Sequence, residues 1–217
     1  MLKLQNIYYH YKNGGRHVLN NVCAEFKEGK VTSIIGPSGS GKTTLLSIMA
    51  GLDVPTSGKV LINDVDLATL DLNRYRREQV AIIFQAFQLF PLLTALENVC
   101  YPMDMNKIPA KEAKGRAIEL LKSVGISEGE ILRYPSNLSG GQQQRVAIAR
   151  ALSSGAKVIL ADEPTGNLDK ANSEVVVDIL KDLAHDKGYA VIMVTHNLKI
   201  ADASDMVYRM SDGVISE

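Results

Sequence analysis

Gly36-Pro37-Ser38-Gly39-Ser40-Gly41-Lys42-Thr43 combines residue types and spacing that serve one kind of chemistry, the holding of phosphate. The run satisfies G-x-x-x-x-G-K-[ST] and lies between an apolar segment, 31–35, and a helical pattern from Lys42 to Ala50, which is the context the motif requires. Glycines without Cβ atoms let a loop fold its N–H groups around phosphate oxygens, and the helix that follows adds the positive end of its dipole. Lys42 is placed to reach the β and γ phosphates of a triphosphate. The Thr43 hydroxyl is a hard oxygen ligand suited to Mg²⁺, and Thr44 belongs to the same contact set.

A second group of residues suits hydrolysis. Val158 to Ala161 reads as a buried strand whose end presents Asp162 and Glu163, at the edge where α/β sheets bind ligands. Taken alone, such a pair is more often a helix cap or a solvated turn. Beside a phosphate loop it divides into a carboxylate that helps hold Mg²⁺, Asp162, and one that orients and deprotonates a water, Glu163. His196 follows the apolar run 190–194 and is expected at the same edge, where an imidazole donor would polarise a γ phosphate. Gln85 closes the strand 80–84, where its amide oxygen would enter the Mg²⁺ shell and report γ-phosphate occupancy onward. A glutamine by itself carries little information. His10, His17 and His185 have no comparable setting.

The elements that must position these groups follow from periodicity. Leu2 and Leu4, then Val18, Val22, Ala24 and Phe26, alternate as two antiparallel strands around the turn-forming Asn13-Gly14-Gly15. Lys59 to Ile62 is a further strand with Asn63-Asp64 as its turn. Between Gln85 and Gly155 strand signals fade, while Ala113, Ala117, Leu120, Leu121 and Val124 share one helical face, so a helical insertion is expected over roughly 86–153. Val176, Ile179, Leu180 and Leu183 mark a helix covering the sheet. A closing hairpin runs from Met206 to Met210 and from Val214 to Ile215 around Ser211-Asp212-Gly213.

Composition narrows the classes. The 217 residues fit one large α/β domain, and Lys plus Arg equals Asp plus Glu at 24 each, without the basic excess expected of a nucleic-acid-binding protein. Arg74, Arg76 and Arg77 read as a solvated face. Cys23 and Cys100 lack metal-binding spacing and read as buried free thiols of a reducing compartment. The N-terminus has no basic and apolar signal-peptide pattern, and no apolar run approaches the ~18 residues of a membrane span.

Leu138-Ser139-Gly140-Gly141-Gln142 then gives the set of motifs a family likeness: in this order they resemble the ATPase subunits of ABC transporters. A hydroxyl and glycine N–H groups at the start of a helix from Gln142 to Leu152 form a second anion site, which in that family binds the γ phosphate held by the opposite subunit. The resemblance covers essentially the whole chain and implies a single ABC ATPase domain over 1–217. Its fold would be an α/β RecA-like phosphate-loop core with an antiparallel β subdomain and the helical insertion. Tyr11 matches the aromatic that stacks on adenine, with Tyr8 and Tyr9 as neighbouring competitors, and Asp169 falls in the loop that crosses the dimer interface.

Gly51-Leu52-Asp53, Pro55-Thr56-Ser57-Gly58 and the stretch Phe90 to Val99 look most like the lipoprotein-release and macrolide-export branch. The segment from Tyr101 to Pro109, in the membrane-docking region, is short for that branch, and Asn197 stands where it often has Asp. The resemblance implies ATP and Mg²⁺ as ligands, a homodimer with nucleotide between two copies, and a separate transmembrane permease holding the chain at the cytoplasmic face of the membrane. The alternatives are a cell-division ATPase of the same branch, transmitting force without moving cargo, and a soluble ABC ATPase of DNA repair or translation. The last would normally add a coiled coil or second cassette, and this sequence has neither.

Overall fold

The computed structural model describes residues 1–11 and 17–216. The turn assigned to Asn13-Gly14-Gly15 lies outside the described residues. Among those described, an antiparallel sheet is built from β1 (Leu2–Tyr9), β2 (Leu19–Phe26), β4 (Ser57–Ile62) and β5 (Val65–Asp66), in the order β2-β1-β4-β5. A second sheet contains β3 (Lys30–Ile35), β6 (Val80–Phe84), β7 (Val158–Asp162), β8 (Ala190–Thr195), β9 (Met206–Ser211) and β10 (Val214–Ser216). Its order is β10-β9-β3-β8-β7-β6, parallel except where the terminal hairpin folds back.

The near-continuous apolar strands β7 and β8 are apolar because both their faces are covered. Ile159, Ala161, Val191 and Met193 point into a core shared with the helices, and Val158, Leu160, Ala190, Ile192 and Val194 point into one shared with the antiparallel sheet. Helix α1 (Lys42–Met49) lies in the second core, and α2 (Leu72–Glu78) anchors there through Tyr75, whose hydroxyl donates to the Met49 carbonyl at 2.7 Å. Between β6 and β7 every regular element is helical: α3 (Ala95–Met105), α4 (Ala110–Ser123), a 3-10 turn and α5 (Gly140–Ser153). Ala113, Ala117 and Leu121 supply the buried stripe of α4, as their spacing predicts. Helix α6 (Lys170–His185) covers the sheet through Val176, Leu180 and Leu183, and α7 (Leu198–Asp202) follows β8.

The cysteines correct the sequence reading. Cys23 is exposed and Cys100 is half-buried. The strand alternation explains the first: buried Val22 faces the core, so its neighbour faces the solvated side of an antiparallel sheet. Arg74 does lie on a solvated face, paired with Glu78 at 2.8 Å.

Candidate functional site

The register of the parallel sheet brings the candidate residues together. Ile35 pairs with Thr195, Asp162 with Val194, and Phe84 with Asp162. Four strands therefore end at one edge and hand over to Gly36, Gln85, Glu163 and His196. At that edge a cavity of about 530 Å³ is lined by Tyr11, Gly36, Ser38, Gly39, Gly41, Lys42, Thr43, Thr44, Asp162, Glu163 and His196.

Gly41 caps α1 at φ 106°, a conformation costly for any residue with a Cβ, and no side chain caps the helix. The first-turn N–H groups, which have no intrahelical acceptor, are thus left to the cavity. Pro37 and Ser40 do not line it. Lys42 instead donates to the carbonyls of Gly36 and Pro37, each at 2.8 Å, and approaches the Ser40 hydroxyl at 3.4 Å, so these residues hold the lysine across its own loop. The terminal hairpin fixes the loop from behind, the Gly213 N–H donating to the Ser40 carbonyl at 3.0 Å.

Glu163 leaves β7 with φ 48°, the left-handed region that a non-glycine residue occupies only where surrounding contacts enforce it. One such contact is its N–H, which donates to the Val194 carbonyl at 2.9 Å. Its carboxylate oxygen Oε1 lies 2.8 Å from His196 Nδ1. With Glu163 ionised, that bond requires the hydrogen on Nδ1, so the imidazolium is the form that can also donate from Nε2 to a phosphate oxygen.

The charges nearby are only partly compensated. Burial raises the Asp162 carboxyl above its usual range and the adjacent Glu163 charge adds to this, opposed by Lys42. Burial lowers Lys42, opposed by the Glu163 and Asp162 charges. A cation beside Asp162 and an anion beside Lys42 would each relieve the cost of burying these charges. Open N–H groups, an ammonium, the Thr43 hydroxyl and a carboxylate are therefore a donor set that fits a magnesium-bound polyphosphate.

Tyr11 stands at the cavity mouth, half exposed, its hydroxyl 3.1 Å from Thr44 Oγ1 and its ring edge-on to Tyr9 at 5.2 Å. Tyr8 and Tyr9 do not line the cavity, which separates Tyr11 from its competitors. Gln85 is also outside it. Its amide donates to Asn167 Oδ1 at 3.3 Å, while Asn167 donates back to the Gln85 carbonyl at 3.0 Å.

Ser139 caps α5 in a reciprocal box: its hydroxyl accepts from the Gln142 N–H at 3.3 Å, and its own N–H donates to Gln142 Oε1 at 2.7 Å. Gln142 is held further by Glu130, leaving the N–H groups of Gly140 and Gly141 at the helix end. None of Ser139, Gly140, Gly141 and Gln142 lines the phosphate cavity. Asp169 caps α6, accepting from the Asn172 N–H at 2.8 Å and from its side-chain amide at 3.0 and 2.9 Å. These bonds hold its carboxyl below the usual range.

Three residues without a role in the sequence reading thus matter. Asn167 and Asn172 hold Gln85 and Asp169. Gln144, fully buried in α5, donates from Nε2 to the Pro164 carbonyl at 2.7 Å and to the Phe84 carbonyl at 3.5 Å. A signal for Gln144 existed: it shares the buried helix stripe of Gly141, Ile148 and Leu152, where a polar residue needs a reason.

A parallel sheet ending in a phosphate loop, a paired carboxylate and a histidine defines a phosphate-loop nucleoside triphosphatase. The family model described as ABC transporter matches residues 19–166. The chain belongs to this ABC transporter family, as one of its ATP-binding, ATP-hydrolysing members. It is 43% identical over 223 residues to MJ0796, an uncharacterised ABC transporter ATP-binding protein of Methanocaldococcus jannaschii, covering 99% of this chain and 95% of the relative. The dimeric structure of MJ0796 superposes with TM-score 0.90 at 42% identity, covering 100% of this chain and 97% of that one, and a second structure of the cassette holds ADP and Pi in a post-hydrolysis state. The macrolide export ATP-binding/permease protein MacB of Vibrio parahaemolyticus is 41% identical over 220 residues, covering 99% of this chain and 33% of MacB, which agrees with the branch read from the sequence.

Proposed function

We propose that the chain works as one cassette domain over 1–217, with its helical part at roughly 86–153, that pairs with a second copy around Mg-ATP and drives a separate permease of the MacB or LolD type. The observation that carries this reading is the presence of two helix ends suited to anions, α1 at the cavity and α5 outside it. The Ser139 end has no phosphate of its own chain within the cavity to meet, so a second copy is the natural donor, and a two-fold pair satisfies both copies at once. That MJ0796 is dimeric in both of its structures supports pairing of two copies.

Within such a pair, Lys42 and the loop N–H groups bind the β and γ phosphates, and Tyr11 stacks on adenine. Thr43 and Asp162 are the cavity residues that would hold Mg²⁺, which when bound would neutralise phosphate charge, and Gln85 would join them only by turning from Asn167. Glu163 orients a water and takes its proton, while His196, bound to Glu163, donates toward the γ phosphate. Gly140 and Gly141 present the partner's γ phosphate with N–H groups at a helix end that Ser139 and Gln142 fix by their reciprocal bonds, and Asp169 lies at the crossing of the two chains.

None of the helices among the described residues is long and apolar enough to cross a membrane. Membrane attachment then comes from the permease, at the cytoplasmic face. Tagging the chain and solubilising membranes in mild detergent tests this: a transmembrane permease should co-purify, and deleting that permease should release the chain from membranes. A chain that stays membrane-bound without it, or never binds it, would overturn the transport reading.

A further inference from the structure

Gln144 is the one polar side chain of the α5 buried stripe that lies wholly out of water, and its two ends are treated differently. Its Nε2 reaches two carbonyls, Pro164 at 2.7 Å and Phe84 at 3.5 Å, while its Oε1 has no partner among the described residues. The opposite amide orientation would set an oxygen against two carbonyl oxygens, so the hydrogen bonds fix which end is nitrogen. A methionine or leucine of similar size would remove the amide oxygen but would also take the donor away from the buried Pro164 carbonyl, so the donation itself is what the glutamine supplies.

The two carbonyls account for it. Phe84 is the residue before Gln85, and Pro164 is the residue after Glu163. One amide thus ties the backbone beside the proposed base, itself held at a positive φ, to the backbone beside Gln85, and ties both to the helix whose first residues carry the second anion site. Gln144 lies about one turn and a half along α5 from the Ser139 cap, close enough for the helix to move both ends as a rigid rod. Among the described residues it is a crossbar between the part of the chain that meets the partner's phosphate and the part that cleaves its own.

We infer that Gln144 is a positioning residue that couples the Ser139 end of α5 to Glu163 and Gln85 through the carbonyls of Pro164 and Phe84. This rests on the sandwich reading above and deepens it. Contact at the Ser139 end shifts α5, and Gln144 carries the shift to the backbone on which Glu163 turns. Hydrolysis at one nucleotide is thereby made conditional on the other being present.

The test uses the full chain and two substitutions. Gln144→Met is unbranched and of similar length, and it removes both the donor and the unpaired oxygen. Gln144→Asn keeps the amide but withdraws it by one methylene from Pro164. For Gln144→Met the expected results are a melting temperature lowered by no more than about 10 °C through loss of the Pro164 hydrogen bond, Mg-ADP affinity within about twofold, KM for ATP within about threefold, and kcat reduced at least tenfold. Should Gln144→Met not fold, Gln144→Asn, which preserves polarity, reads the same split. Turnover within twofold of the parent in a folded variant would overturn the inference, as would a fall in kcat matched by equal losses of Mg-ADP affinity and melting temperature, the pattern of a merely structural residue. Failure of the sandwich itself shows elsewhere, in the dimerisation of the Glu163→Gln protein, so the two ideas can fail separately.

Discussion

Glu163 Oε1 and His196 Nδ1 lie 2.8 Å apart, yet the glutamate side chain is 17% exposed and the histidine 72%. The carboxylate is thus shielded at the end of its strand, while the ring that touches it reaches into the cavity. Such a pair gives the histidine a fixed orientation without burying it. His196→Ala should leave ATP binding within a few-fold and lower turnover by about 10²–10³, the usual cost of losing one preorganised donor at a developing charge. Calorimetric titration beside a phosphate-release assay checks this, and a variant with parental turnover would remove His196 from the chemistry.

Tyr11 projects from the end of β1 with about half its surface open to solvent, as a stacking platform must. Tyr11→Ala should weaken ATP binding by about 1–3 kcal/mol, the range for base stacking on aromatic side chains. Binding of inorganic triphosphate should be unaffected. Equal losses for both ligands would place Tyr11 at the phosphates.

Gly141 packs on α6 so closely that a Cβ there would stand 2.0 Å from Asn172 Oδ1. Asn172 cannot simply swing away, because its amide is bonded to both Asp169 carboxylate oxygens. Gly141→Ala should therefore displace Asn172, free Asp169, and impair dimer closure while Mg-ADP still binds the single chain. Sedimentation velocity in a Glu163→Gln background, with Mg-ATP, should show dimers for the background and monomers for the double variant; equal dimerisation would mean that the Gly141 contact is dispensable.

Much of the site is local enough to be legible in the sequence. The phosphate loop, the acidic strand end and the Ser139 cap each depend on residues a few positions apart, and the strands that carry them announce themselves by apolar runs. What was not legible depends on contacts between distant segments. Gln85 lies beside Asn167, 82 residues away, and turns from the cavity. Cys23 belongs to an alternating strand whose outer face is bare, a fact that its apolar neighbours conceal. Gln144 looks like one more residue of an amphipathic helix until the carbonyls of Phe84 and Pro164 are placed beside it.

At the opposite edge of the parallel sheet, Asp205 accepts from the Val31 N–H at 2.8 Å, Lys30 at 3.2 Å and His185 at 2.9 Å. Burial alone would raise its carboxyl, but these three donors outweigh burial and lower it to about 2. A depressed folded value contributes stability above the unfolded pKa of ~3.9 and loses it as pH falls through about 2. Asp205→Asn should cost about 2 kcal/mol at neutral pH. Urea melts should show the parent's advantage intact near pH 5 and gone near pH 2. An advantage that persists at pH 2 would assign it to packing and not to charge.

The central claim is that hydrolysis and partner recognition sit on different residues of one chain, Glu163 and Ser139, and meet only between two copies. Light scattering with Mg-ATP tests it most directly. Glu163→Gln keeps size and hydrogen bonding but removes the base, so turnover should fall by about 10²–10⁴ and the protein should accumulate as a dimer. Ser139→Arg should block the second anion site, so that ATP binds but the protein stays monomeric. A Glu163→Gln protein that hydrolyses at the parental rate, or a Ser139→Arg protein that dimerises like the parent's Glu163→Gln form, would contradict the account.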